Sequence, residues 1–551
     1  MKLTRSLLFA FATAGVVLLA VLVAAFASLF SDGGEGKQAA QRVEMSVSEQ
    51  AAMSEQVVHV LYPEPDVVAA AEEAARKEAE EKARKEKEEE EARIASENAA
   101  AAAEEEEREV LRAQGPGCRL VDAATIALTA ELGSMPVTDD DVLYVYELAP
   151  YQYSLEGAAQ IATTAVSQKP AVSFPFAGDG AVSRLYCKFV FAANVGGTMT
   201  MLGEPQYITN PELLATNTKP RSAYPTKSIQ GHGTCHNYYL DRGYGGEGMM
   251  LIVNNTGQNA VLKHPAASSP DSHMVDEGPL LYMFNAANAD GVNALASGLK
   301  NLAASHNTQD FVIGNEVNER KWCYVAYMDW DQYVREYVQS FRVAYNAIKS
   351  TNANARIFFS VSQDWDRNRP SGSAEYYWYL DSKDFIAKFN SQIRAGGNID
   401  WCIACHPHTV PLTYSKFWDM SGLGNGGYFA AQISSGAMMS FQNLSLLTNY
   451  LQSPELLSPA GKVRPVIASE TAIAGGQGAE VQGAALYASF QASLRNPYIE
   501  TIIYLEDPTI GAVFSGKARE VYDAMGGPED AAYDAWAKAV IGISDWGQVL
   551  R

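Results

Sequence analysis

Cysteine is scarce in this chain: six residues in 551. Cys118, Cys187, Cys235, Cys323, Cys402 and Cys405 are too few for a disulfide scaffold, and spacing alone cannot pair the one or two bridges they allow. Cations are scarce as well. Lys and Arg number 42 against 64 Asp and Glu, a formal net charge of −22. That balance repels phosphate and argues against nucleic acid as a partner. No glycine-rich phosphate loop follows any apolar run, which weakens a doubly wound nucleotide binder.

What is present is ordered by segment. At 47% hydrophobic, the chain has material for two or three domains. Lys2 and Arg5 precede Leu7 to Phe30, about 24 residues without a charge. Such a run spans ~30 Å of hydrocarbon as a helix. Two outcomes compete over residues 1–30: an uncleaved anchor, or a signal peptide cut near Ala25-Phe26-Ala27. Either places the body outside the cytoplasm, at the cell surface with a membrane contact or secreted. Residues 31–65 read as a polar linker. From Asp66 to Arg112 there are 17 acids and 9 bases, with no Gly or Pro. Glu73/Lys77 and Glu81/Lys85 stand at helical i,i+4 spacing. Leu, Ile and Val are nearly absent from the middle, so no coiled-coil seam exists. A charged single-helix stalk over 66–114, roughly 70 Å long, is expected. Gly115-Pro116-Gly117 ends it.

Residues 118–212 carry short alternating runs between Gly, Pro and Asp clusters: Ala124–Leu132, Val142–Leu148, Ala171–Phe174, Arg184–Phe191 and Met199–Tyr207. They predict a small β-sandwich. Residues 213–551 alternate β and α. Strands are expected at Met249–Val253, Leu280–Phe284, Asp310–Ile313, Arg356–Val361, Ile399–Cys405, Pro465–Ser469 and Thr501–Leu505. Helices are expected at Ala289–Ala304, Tyr333–Lys349, Lys383–Ile393, Met438–Leu451 and Gln482–Arg495. The fold class is α/β, a TIM-type (β/α)8 barrel behind the sandwich.

Sites on such a barrel form at the carboxyl ends of the strands. Asn285 ends one run, Asn315-Glu316 the next, then Gln363-Asp364-Trp365, His406-Pro407-His408, Glu470, and Tyr504 with Glu506 and Asp507. Glu316 and Glu470 lie three β/α units apart. A pair of carboxyl groups across one cleft is what retaining glycoside hydrolysis requires: one protonates the leaving oxygen, the other attacks the anomeric carbon. An amide beside the acid, Asn315, suits the sugar 2-hydroxyl. The bland alternative is a set of ordinary strand-end polar groups.

"VIGNEVNE" resembles the Asn-Glu acid/base signature of the large clan of retaining (β/α)8 glycoside hydrolases, and "PVIASET" resembles its nucleophile strand. "LLYMFNAANADGV", "FRVAYNAI", "ACHPHTVPLT" and "SETA...VQGAALYASF" further resemble DUF5722, a bacterial family of exported proteins. From Cys118 onward the order of these fragments fits. The resemblance implies Glu316 as acid/base, Glu470 as nucleophile, and Asn315 on the 2-hydroxyl. It implies His406 and His408 as orienting or sugar-binding groups, with Asn285, Trp365, Trp322 and Tyr504 as further substrate contacts. The ligand it implies is a carbohydrate, with no cofactor. Two features depart from the family. Thr216–Gly248, rich in Gly and polar residues, stands where a first β/α unit belongs, with only Tyr238-Tyr239-Leu240 strand-like. "IIYLED" lacks a Trp on the last strand. A non-catalytic carbohydrate-binding or surface-interaction protein on the same scaffold is the alternative.

"CIACH", Cys402 to His406, matches the haem-attachment pattern C-x-x-C-H. It lies in an apolar run with Pro407 directly behind, so packed thiols in a strand are expected instead.

Overall fold

Helix formers without a seam, then alternating runs, then β/α alternation make up the chain in that order, and the computed structural model has a long helix, two antiparallel sheets and a larger curled sheet with helices. It describes residues 65–134, 137–267, 278–305, 307–326 and 329–551. The anchor or signal expected over 1–30, and the linker over 31–65 apart from Pro65, lie outside them. Among the described residues no helix is long and apolar enough to cross a membrane.

The described residues fall into two units, divided after Ala101. Of the described residues, the first holds most of helix α1 (Pro65–Ala113). Its side chains from Ala69 to Ala101 are exposed, as the lack of an apolar seam requires. Glu73–Lys77 and Glu81–Lys85 pair at 2.8 and 3.0 Å.

In the second unit, β1 (Gly117–Leu120), β2 (Thr125–Thr129) and β5 (Ala171–Pro175) form one antiparallel sheet. β3 (Val142–Leu148), β4 (Ala159–Ala165), β6 (Lys188–Val195) and β7 (Thr198–Tyr207) form another, in the order β4-β3-β6-β7. Phe174 of the first meets Phe189 of the second at 5.0 Å between ring centres. Leu128, Leu143, Val145 and Phe191 join the same core.

The remaining strands are β8 (Lys227–Ile229), β9 (Cys235–Tyr239), β10 (Tyr244–Gly245), β11 (Met250–Asn254), β12 (Asp310–Ile313), β13 (Arg356–Val361), β14 (Trp401–Cys405), β15 (Val466–Thr471) and β16 (Ile499–Tyr504). They make one sheet, β10-β9-β11-β12-β13-β14-β15-β16-β8, parallel except for the β9–β10 pair. Helices α2 (Ala289–Ser305), α3 (Trp330–Lys349), α4 (Ala374–Trp378), α5 (Ser382–Ala395), α6 (Gly426–Ser435), α7 (Ser445–Tyr450), α8 (Ala479–Arg495), α9 (Lys517–Ala524) and α10 (Asp530–Ile541) punctuate it.

The sheet is curled. Cys235, Ile252, Val312, Phe358, Cys402, Ala404, Ile467 and Ile503, from β9 through β16, form one buried cluster on its concave face. Their neighbours in sequence, among them Leu251, Ile313, Phe359, Ile403 and Ile502, belong to the larger core on the other face. Arg356 of β13 reaches Glu500 of β16, three strands away, at 2.6 Å. β8 at one end of the sheet and β9, the last parallel strand at the other, are joined among the described residues by an isolated bridge, Gln230 to Cys235, so the hydrogen-bonded ladder stops short of a closed eight-strand ring.

Several expected elements differ. Leu280–Phe284 is not a sheet strand. It makes isolated bridges, Lys263 to Phe284 and Tyr282 to Tyr324, and the Asn255 side-chain amide donates to the Met283 carbonyl at 3.3 Å. β8 and β9, polar and nearly invisible in sequence, take the sheet positions instead. The helix expected at Met438–Leu451 is interrupted, because a Ser440–Asn443 capping box starts a short 3-10 turn at Phe441–Asn443 before α7. All six cysteines are buried free thiols. Cys402 and Cys405 face opposite sides of β14, which no C-x-x-C-H haem linkage tolerates.

Candidate active site

The site begins with how β12 ends. Ile313 is followed by Gly314 at φ 80°, where a Cβ would stand 2.8 Å from Val317 Cγ1. Glu316 itself sits at φ 38°, in the left-handed region that L side chains rarely adopt. The strained turn is held from several sides. The Glu316 amide donates to Ser360 Oγ at 2.8 Å. Tyr337 and Tyr333 of α3 donate to the carbonyls of Ile313 and Val317 at 2.6 and 2.9 Å. Asn318, wholly buried, donates to Leu380 O and Ser362 Oγ at 2.9 and 3.0 Å. Arg320 lies over the rings of Trp330, Tyr333 and Tyr377 and donates to Tyr377 O at 2.8 Å.

Glu470 is placed by an irregularity. Ala468 pairs with Ile502, but Thr471 pairs with Tyr504, so β15 spends one residue more than β16 over this stretch. Ala468, Ile502 and Tyr504 all pack in the outer core. Thr471, opposite Tyr504, therefore faces outward, and the bulge turns Glu470 inward to the cleft.

Two histidines tie the carboxyl groups to β14. His406 Nδ1 lies 2.8 Å from Glu316 Oε1, and His408 Nε2 lies 3.7 Å from Glu470 Oε1. The Ala472 amide donates to His408 Nδ1 at 2.9 Å. A neutral ring that accepts at Nδ1 carries its proton on Nε2, the atom turned to Glu470. Burial and then His406 push the His408 pKa down to about 3, so the ring is neutral. His406 is also held low by burial, and its Nε2 finds no partner among the described residues. The donor atoms of Glu316, His406 and His408 lie within 4.8 Å of one another. With His408 accepting at Nδ1 and protonated at Nε2, this trio suits a hydrogen-bond relay better than a metal.

Burial, then Asp364, raises the Glu316 pKa from 4.5 to about 8, against the pull of Lys321. Glu470 is raised by burial, with His406 opposing and Glu316 and Asp507 adding to the shift. The charge of Glu316 thus acts on Glu470, while Asp364 is the acid that acts on Glu316.

The cleft around them has a volume of 1510 Å³. Asn315, Glu316, Trp322, His408 and Glu470 line it. His406 stands behind, fully buried against Glu316. Three expected contacts lie elsewhere. Asn285 is buried in a turn, donating to Val261 O at 2.9 Å and accepting from the Ala287 amide at 3.0 Å. Trp365 packs edge-on to Tyr450 in the core, 5.7 Å between ring centres. Tyr504 points outward to α8, its hydroxyl 2.8 Å from Ser489 Oγ. Conversely, Glu319, which the sequence pattern does not single out, and Asp364, named only as a strand-end residue without a role, line the cleft. Burial first, then Glu316 and Asp364, push Glu319 far above its usual range. Its signal was in plain view as the second Glu of "NEVNE". Asp364 is gripped by Arg369 and, at 3.4 Å, by Arg367.

A family profile described as "Family of unknown function (DUF5722)" matches residues 245–549. No curated protein matches the chain. Among solved structures, it is similar to the Ignisphaera aggregans GH53 catalytic domain at 14% identity, over 57% of this chain and 93% of that one, with a TM-score of 0.27. It is similar to the CBM22-1–GH10 modules of the Clostridium thermocellum endo-1,4-beta-D-xylanase 10B at 13% identity, over 77% and 87%, with a TM-score of 0.28. The Bacteroides uniformis beta-glucuronidase shares 10% identity over 77% of this chain but 49% of its own length, with a TM-score of 0.26. These likenesses are distant, and the chemistry has to stand on the cleft.

Proposed function

The chain belongs to DUF5722, a family of unknown function, and from its cleft we propose that it is a retaining glycoside hydrolase on a glycosidase-like barrel. The observation that carries this reading is the pairing of Glu316 and Glu470 on one cleft, each with its own histidine. Glu316, raised to about 8, keeps its proton at neutral pH and is the general acid. The Glu470 carboxylate attacks the anomeric carbon as the glycosidic C–O bond breaks and the Glu316 proton passes to the leaving oxygen. Water then attacks the glycosyl ester, gives its proton to Glu316, and frees the Glu470 carboxylate. His408 holds Glu470, and Asn315 takes the 2-hydroxyl. Trp322 offers a flat face to a sugar. The apolar run of residues 1–30 supports a cell-surface or secreted location.

Kinetics on a broad glycan panel test this. Glu316→Gln and Glu470→Gln are each expected to lower kcat by at least about 10³-fold while binding persists. Parent activity is expected to fall on the alkaline side near pH 8, where Glu316 loses its proton, and on the acid side as Glu470 gains one. A parent that binds glycans without turning them over, with both variants binding alike, would favour a carbohydrate-binding module, and turnover unchanged in both variants would overturn the two-acid mechanism.

A further inference from the structure

One stretch is left without a role by the cleavage site: the glycine-rich segment that replaces the expected first β/α unit. After β9 the chain turns through 240–243 and β10 pairs back on it, Tyr244 opposite Tyr239 and Gly245 opposite Tyr238. Gly245 has φ 154°, and a Cβ there would stand 2.5 Å from Asn237 O. The fold-back is thus tight, and it lays two tyrosines side by side. Their ring centres are 6.3 Å apart and the planes differ by 15°. The Arg242 guanidinium sits 5.9 Å from the Tyr239 ring, and its Nε donates to Thr256 Oγ1 at 3.0 Å. Tyr239, Arg242 and Thr256 line the same cleft as the two carboxyl groups. Tyr244 is 68% exposed.

The ladder gives the separation. Tyr239 pairs with Asn254 of β11, and the Gly314 amide donates to Val253 O at 2.9 Å. Tyr239 therefore stands two strands from the Glu316 turn, about 10 Å along the sheet, and Tyr244 one strand further, on the order of 15 Å. A single sugar ring at the carboxyl groups does not reach that far. The cleft volume of 1510 Å³ also exceeds the ~300–1,000 Å³ that suits one small ligand.

We propose that the β9–β10 hairpin is a distal sugar subsite. Tyr239 and Tyr244 pack on the C–H face of a pyranose, and Arg242 donates to its hydroxyls. The ligand is then a glycan chain of several rings laid along the cleft, not a lone terminal sugar. This rests on Glu316 and Glu470 as the cleavage site, because the separation is counted from there.

The probes are gluco-, xylo- and manno-oligosaccharides from disaccharide to hexasaccharide, with the full chain as enzyme. For the series the parent cleaves, Tyr244→Ala is expected to raise KM for the hexasaccharide about tenfold. The shortest substrate cleaved keeps its kcat/KM, and Tyr244→Trp restores long-chain affinity. Thermal melts confirm that both variants fold. A loss equal at all lengths, or none at any length, overturns the subsite while leaving the cleavage site intact. Parent-like turnover by Glu470→Gln overturns the cleavage site instead. Failure of the parent to bind or cleave any of the series sinks both.

Discussion

Glu316 illustrates what a single residue gives up for chemistry. It takes a left-handed backbone angle and a nearly dry side chain, and both are held in place by groups from β13, β14 and α3. Its pKa is raised on folding from 4.5 to about 8, so the folded chain binds this proton more tightly than the unfolded one. The stability from that proton is complete below the unfolded value and is lost as pH rises through about 8. Glu316→Gln cannot ionise. Its melting temperature should match the parent's at about pH 4 and exceed it by several degrees at about pH 9. Calorimetry at the two pH values checks this, and a constant difference would show that the shift has another origin. Glu316, Asn315 and Glu470 were legible as polar residues closing apolar runs. The division of labour between His406 and His408 was not, because it depends on which carboxyl each ring faces.

At the scale of elements, the bulge in β15 decides the site. Strict alternation from Ile467 would send Glu470 outward; one extra residue before Thr471 reverses that phase. Inserting one alanine between Ile503 and Tyr504 of β16 should match the two strands residue for residue, restore alternation in β15 and turn Glu470 away from the cleft. The expected result is activity lower by at least about 10³-fold with the far-UV circular dichroism nearly unchanged. Retained activity would mean the strand re-forms its bulge elsewhere. Strand runs such as Asp310–Ile313 and Arg356–Val361 were readable to the residue, since burial on both faces writes a continuous apolar run. β9, Cys-His-Asn-Tyr-Tyr, was not, because its upper half faces a wet cleft. Leu280–Phe284 misled for the opposite reason: it is apolar, but its carbonyls are taken by loop partners rather than a ladder.

Across the whole molecule, the curl of the sheet brings distant segments together. Asp310, fully buried, accepts from Arg356 and Arg221, and Arg356 also reaches Glu500. This network sits at the amino ends of the strands, away from the cleft. Asp310→Ala leaves the arginines facing an uncompensated, desolvated gap and should destabilise the fold by about 3–5 kcal/mol. Denaturant titration of the full chain would show it, while kcat of the folded fraction on the glycan panel should hold. The sequence by itself determined the exposed charged helix, the short antiparallel strands, the β/α alternation and the placing of Glu316 and Glu470 at strand ends, since each is written in local periodicity or at the end of an apolar run. Tertiary structure alone decided which side chains meet: Glu316 with His406, and Glu470 with His408. Those contacts hang on strand register, one bulge and the bend of the sheet, and such long-range geometry leaves no mark in the local pattern of residues.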